Sequence, residues 1–403
     1  MARIVVAPDS FKGTLDAEGA AAAIAEGWRS IRPEDELLTL PQADGGEGTL
    51  DAIAAATPGA IVRDAGRVTG PAGDPVPAHW LELPDGTAVV ELAVSSGLTL
   101  MPALDALGAT TRGLGEVIAL AIGGGARELV VATGGSASTD GGTGALAALG
   151  ARFLDAEGRE LEPGGGALAR LETIDLSRLV ATPPVRLLTD VTAPLTGPNG
   201  AAAVFGPQKG ASPADVAALD TALARLAEVA ARCDTAGEIA GRRHLARTQA
   251  GSPSASPRAT DAPVVDARTP GGGSAGGTGF GLAAFLGAAI EPGAAAIAEL
   301  TGLHAALATA DLVVTGEGRY DSQSSTGKVV GHAIAAARTA GRRIAVVAGT
   351  IGPGAALDPL GGGPDELLAL AQLAGGAEAA IADPARWLRE AGAGLALAFS
   401  SPD

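Results

Sequence analysis

The chain has 403 residues, a formal net charge of −17, 60 glycines and an aromatic content of only 2%. This length allows two or three domains with a sizeable core, and that core must be packed from alanine, leucine, valine and isoleucine rather than around large rings. The acidic balance argues against nucleic acid and anionic membrane surfaces as partners, because both require extended basic patches.

Along the chain, buried-strand runs at residues 4–7, 88–92, 128–132, 186–189, 311–315 and 343–348 alternate with helical patterns, and each junction is marked by glycine or proline. That alternation is the signature of α/β architecture, and continuous apolar runs are expected where helices cover both faces of a sheet. Asp16 is placed to cap a helix running to about Arg29. The clearest helix covers residues 212–232, with Ser212 as cap, Pro213 in the first turn and Asp215 reaching back. Its core stripe is Val216, Leu219, Leu223, Leu226 and Val229. Residues 234–270 differ in character, with four prolines, several hydroxyl residues and Arg242-Arg243-His244, and read as a poorly ordered surface insertion. The chain opens directly on its first strand, and no apolar stretch approaches the ~18 residues of a membrane span; a soluble, cytoplasmic protein is the expectation. The single cysteine, Cys233, excludes an intramolecular disulfide, and His79, His244, His304 and His332 show no ligand spacing, which argues against zinc.

Of 28 basic residues only three are lysines, and each lies in a glycine-containing loop: Lys12, Lys209 and Lys328. A lysine is a compact point charge with three rotatable donors, suited to phosphate or a small carboxylate beside close-approaching backbone. Five polar, glycine-rich segments carry the candidate chemistry, most of them after a strand, where ligands of open α/β sheets bind. They are Asp9-Ser10-Phe11-Lys12-Gly13; Asp44-Gly45-Gly46-Glu47-Gly48; Gly134-Gly135-Ser136-Ala137-Ser138-Thr139-Asp140-Gly141-Gly142; Asp190-Val191-Thr192 with Gly206-Pro207-Gln208-Lys209-Gly210; and Gly316-Glu317-Gly318-Arg319-Tyr320-Asp321 leading to Ser325-Thr326-Gly327-Lys328. Each alone reads equally well as a turn or a helix cap.

Standard nucleotide signatures fail. A P-loop would need glycine at Ser322 and a hydroxyl at Val329. The literal G-x-G-x-x-G at residues 271–276 follows the proline-rich stretch rather than a strand, and Asp321 stands where Gly316-Glu317-Gly318 would need its third glycine. A nicotinamide-dependent dehydrogenase is therefore the weaker reading.

Taken together and in order, these segments resemble the bacterial glycerate kinases of the type that phosphorylates glycerate at its 2-hydroxyl. The resemblance implies ATP-dependent phosphorylation of D-glycerate to 2-phosphoglycerate with Mg²⁺, on two α/β domains, the second inserted into the first, with the active site in the interdomain cleft. The implied division is a discontinuous Rossmann- or flavodoxin-like domain of residues 1–65 and 292–403, and an inserted α/β domain of residues 66–291. Expected roles are Asp190, Lys12 and Lys328 in catalysis (Asp140 being the alternative to Asp190 as proton acceptor) and Asp9, Ser10, Arg319, Asp321 and Lys209 on the substrate. Gly134, Gly135, Ser136, Thr139, Asp140, Gly141, Gly142, Gly316 and Glu317 are expected at phosphates, and Asp44 and Glu47 at the metal. Thr139 and Ala193 replace expected asparagines, and residues 234–270 are longer than the family's usual connection. The expected partners are glycerate and ATP, with a homodimer left open. Three alternatives stand beside this reading: a 3-phosphoglycerate-forming kinase, a kinase of another small hydroxy acid, and a catalytically silent sugar-acid sensor.

Overall fold

A computed structural model describes residues 1–235, 265–322, 324, 328–355 and 363–399. Residues 236–264 of the expected insertion, and Ser325, Thr326 and Gly327, lie outside the described residues. The chain divides into two compact units. The first comprises Met1–Asp44, Gly48–Pro58 and Pro292–Asp403, the second Gly45–Glu47 and Gly59–Glu291.

The first unit is built on a five-stranded sheet in the order Glu366–Ala369, Arg343–Ile351, Leu312–Tyr320, Arg3–Val6, Glu36–Thr39. Every pairing in it is parallel, with Ile4 opposite both Leu312 and Leu37. Because strand side chains alternate, Ile4, Val6, Val314 and Val347 bury against the helices Ala17–Ile31 and Pro384–Ala398. Val5, Val313, Ile344 and Val346 bury on the opposite face against Leu303–Leu307 and Val329–Thr339. Both faces are thus covered, which is why these strands are apolar without interruption. Asp16 caps Ala17–Ile31, its carboxylate accepting from Gly19 N at 2.7 Å. That helix and Pro384–Ala398 approach so closely that a Cβ on Gly27 would lie 2.0 Å from the Arg389 carbonyl oxygen, and one on Gly392 would lie 2.2 Å from that of Ile24. At these two points the backbones themselves make the contact, yet the same core is not, as the composition suggested, free of large rings: Trp28 is fully buried with its ring centroid 5.4 Å from that of Phe399.

The second unit carries a six-stranded sheet in the order Ala289–Glu291, Val185–Leu188, Glu128–Ala132, Thr87–Glu91, Pro75–Glu82, Ile61–Thr69. The first four strands run parallel, and the last two add an antiparallel hairpin at one edge. The helix Pro213–Thr235 begins with a reciprocal cap: Ser212 N donates to Asp215 Oδ2 at 2.9 Å and Asp215 N to Ser212 Oγ at 3.2 Å. Leu219, Leu223, Leu226 and Val229 from its expected stripe are buried. The α/β expectation holds in both units. The expected strand at 311–315 is longer than its apolar run, continuing through two glycines to Tyr320. Among the described residues, no helix is long and apolar enough to cross a membrane.

Candidate active site

In the first unit, loops after the parallel strands enclose a cavity of about 400 Å³. Asp9, Ser10 and Lys12 line it from the loop after the first strand, Glu317 and Arg319 from the far end of Leu312–Tyr320, and Asp44 and Lys328 from the segments beside them. Leu370, Ala380, Ile381 and Pro384 give it an apolar wall.

The loop is held in several ways. Asp9 N donates to the Gly316 carbonyl at 2.8 Å, prolonging the strand pairing, and Ser10 N donates to Asp9 Oδ1 at 2.6 Å. Phe11 is buried and bridges to Leu15, so the next residue, Lys12, is lifted outward. Its side chain is 75% exposed, with Nζ 4.0 Å from Asp44 Oδ2. Burial and the neighbouring Asp44 carboxylate push the Asp9 carboxyl up to about 7. Burial also raises Glu317. Arg319 Nε lies 3.1 Å from Asp321 Oδ2, while its guanidinium stays largely exposed. The cavity therefore combines three cations with carboxylates whose proton affinity has been raised, a composition suited to an anion that must lose a proton.

The glycine-rich segment of the second unit is constructed differently. Asp140 is fully buried, and its carboxylate accepts from Thr111 N and Thr111 Oγ1 (both 2.8 Å), Gly142 N (3.0 Å) and Gly144 N (3.2 Å). Lys209 is 2% exposed, with Nζ donating to the Ser138 carbonyl at 2.5 Å and to Ser136 Oγ at 3.2 Å. Burial brings its ammonium down to about 8. Gly135 has φ +71°, and a Cβ there would meet Glu47 Oε1 at 2.8 Å, so the Gly45–Glu47 segment packs on this loop. Ser138 Oγ and Thr139 Oγ1 are buried with no hydrogen-bond partner among the described residues.

The expected site residues thus separate into two groups. Asp9, Ser10, Lys12, Asp44, Glu317, Arg319 and Lys328 come together around one cavity. Asp140 and Lys209 do not stand as free ligands, because the oxygens of one and the ammonium of the other are taken up inside the loop. Gly316 has a packing duty: its carbonyl anchors Asp9, and a Cβ on it would lie 2.3 Å from the Val347 carbonyl oxygen. Asp44 belongs to the first unit and Glu47 to the second. Asp190 is half-buried, just beyond Val185–Leu188. Sequence reasoning missed two things: the raised affinity of Asp9, which depends on burial and on an acid 35 residues away at Asp44, and Thr111, which with Thr110 forms a hydroxyl pair outside any of the five segments.

A cavity lined by three cations and three carboxylates at the carboxyl ends of a parallel sheet, in a chain whose other unit carries a glycine-rich loop, is the equipment of the small-molecule phosphotransferase class. Comparison makes the family definite. The glycerate kinase family model matches residues 4–400. The chain is 44% identical over 333 residues to a glycerate 2-kinase of Escherichia coli K12, covering 81% of this chain and 80% of that one. To a glycerate kinase of Bacillus subtilis 168 it is 42% identical, covering 81% and 79%. A crystal structure of a candidate glycerate kinase 2 from Salmonella typhimurium LT2 superposes with a TM-score of 0.80 at 37% identity over 98% of each chain. The chain belongs to the glycerate kinase family, enzymes that transfer phosphate to an alcohol group.

Proposed function

We propose that this chain transfers the γ-phosphoryl group of ATP to the 2-hydroxyl of D-glycerate, and that the acceptor is held in the cavity of the first unit. The observation that carries this reading is the grouping of Lys12, Arg319 and Lys328 with Asp9 around one cavity in a chain of net charge −17. Phosphoryl transfer asks a protein chiefly for positioning and charge neutralisation. The three cations supply the second, for the glycerate carboxylate and for the incoming phosphoryl oxygens. Asp9 accepts the proton of the attacking hydroxyl, the role first assigned to Asp190. Its raised affinity matches a base working near neutrality, close to the most efficient value. As the hydroxyl O–H bond breaks toward Asp9, the O–P bond forms and the bond from the γ-phosphorus to its bridging oxygen breaks, leaving ADP.

The glycine-rich segment at residues 134–142 is proposed for the nucleotide phosphates, with Lys209 and Asp140 holding its shape rather than touching the ligand. The family's reaction implies Mg²⁺, which binds through one or two carboxylates together with phosphate oxygens and water. Asp44 fits this requirement, being a carboxylate that lines the cavity with Lys12 and Lys328, and Glu47 is the second candidate. Among the described residues, no group of three or more His, Cys, Asp or Glu is arranged to hold a metal unaided. Bound there, the ion would neutralise phosphate charge.

³¹P NMR of the protein with D-glycerate, ATP and Mg²⁺ tests this reading. A 2-phosphoglycerate resonance is the expected result. A 3-phosphoglycerate resonance would reassign the hydroxyl, and no new phosphate ester from folded protein would overturn the reading.

A further inference from the structure

Two imidazoles that the phosphoryl transfer does not use meet in the first unit. His304 lies in Leu303–Leu307 and His332 in Val329–Thr339, 28 residues apart in sequence. Their Nε2 atoms stand 3.1 Å apart, with ring centroids at 5.2 Å and planes inclined by 58°. His304 is exposed and His332 half-buried.

The separation is informative. Two imidazole nitrogens bound tetrahedrally to one ion at 2.0–2.1 Å lie about 3.3 Å from each other. The rings are therefore already at ligand spacing through the same nitrogen of each. Burial, with His304 alongside, holds His332 below its ordinary value. When both rings carry their proton on Nδ1, two lone pairs converge.

We propose that His304 and His332 form a two-nitrogen clamp for a divalent transition-metal ion, with Cu²⁺ preferred over Ni²⁺ and Zn²⁺. The preference follows the general affinity order for nitrogen ligands. No third His, Cys, Asp or Glu joins the pair among the described residues, so water fills the remaining positions and the ion exchanges freely. Structural zinc sites, closed by four protein ligands, are a different arrangement. Mg²⁺ is excluded from the clamp because it demands oxygen ligands, so this site is separate from any ion of the phosphotransfer reaction. Its position gives it consequence: His332 N donates to the Lys328 carbonyl at 2.8 Å, and Lys328 lines the cavity. A bridging ion would tie the start of Val329–Thr339 to Leu303–Leu307.

The test is Cu²⁺ binding to the full chain, read by equilibrium dialysis and by electron paramagnetic resonance. The expected result is one Cu²⁺ per chain with hyperfine structure from two nitrogens. Its affinity should fall at least tenfold in both His304→Ala and His332→Ala and stay unchanged in His79→Ala. Because His304 is exposed, its replacement leaves the fold intact, which circular dichroism checks. Equal affinity in the wild type and both clamp variants, or nitrogen hyperfine structure that persists in both, would overturn the clamp and leave only a hydrogen bond between the rings.

Discussion

Lys12 and Lys209 look alike as letters, each a rare lysine followed by glycine, yet the fold puts them in opposite settings. The Lys12 side chain is 75% exposed at the rim of a cavity. Lys209 is 2% exposed and spends its donors on Ser136 and Ser138 of its own unit. One can meet an incoming anion; the other shapes the loop that does. A buried ammonium survives only with such partners, since desolvation without them costs several kcal/mol. Chemical type and local sequence therefore do not separate a ligand from a scaffold, whereas the burial of the ammonium does.

The largest effect should come from Asp9. Asp9→Asn removes the proton acceptor, and kcat should fall about 10²–10⁴-fold, the usual contribution of general base catalysis. The same change should stabilise the fold above pH 7. Asp9 is raised in the folded state from 3.8 to about 7, so its contribution to stability is fully present below the unfolded value and lost progressively as pH climbs from there to about 7. Thermal melting at pH 8 should rise by about 2 °C or more in the variant, with a smaller gain at pH 5 and none at pH 3. A lower melting temperature at all three values would make Asp9 structural.

Lys12→Met should cost roughly tenfold to a hundredfold in kcat/KM, a contact of about 4 kcal/mol at 4 Å discounted for solvent exposure. Melting should not change. Lys209→Met sharpens the contrast in the other direction: it strands two loop acceptors, at about 1–3 kcal/mol, so the melting temperature should drop by several degrees and KM for ATP should rise. If Lys209→Met melts like the wild type, its loop-holding role is wrong. The mildest test is the wild-type pH profile. Because Asp9 must be ionised to accept a proton, kcat/KM should climb tenfold per pH unit below about 7 and flatten above it. A flat profile from pH 5 to 8 would remove Asp9 from the chemistry.

Much of this molecule could be read from its residues. The buried parallel strands announced themselves because both faces are covered, leaving unbroken runs such as Glu128–Ala132. The hairpin Ile61–Thr69 and Pro75–Glu82 did not, since its outer strand is mostly exposed and carries Arg63 and Asp64, while its partner contains two prolines. The last five residues of Leu312–Tyr320 read as a loop because of Gly316 and Gly318, although Gly316 is there for close backbone approach to Val347, not for turning. The cavity's residues were legible as loop motifs after strands. The raised affinity of Asp9 was not, for it depends on the depth of the loop and on Asp44, 35 residues away. The His304–His332 pair had no sequence signal at all: the two rings meet only because separate helices lie side by side on one face of the sheet.

In the proposed reaction the acceptor is bound through Lys12 in the first unit while Lys209 is scaffold. The most direct test is the dissociation constant of radiolabelled D-glycerate, measured by equilibrium dialysis for the wild type, Lys12→Met and Lys209→Met. At least a tenfold weakening with Lys12→Met and a change within twofold with Lys209→Met is the predicted result. Unchanged glycerate affinity in Lys12→Met, with loss in Lys209→Met, would contradict it and move the acceptor to the second unit.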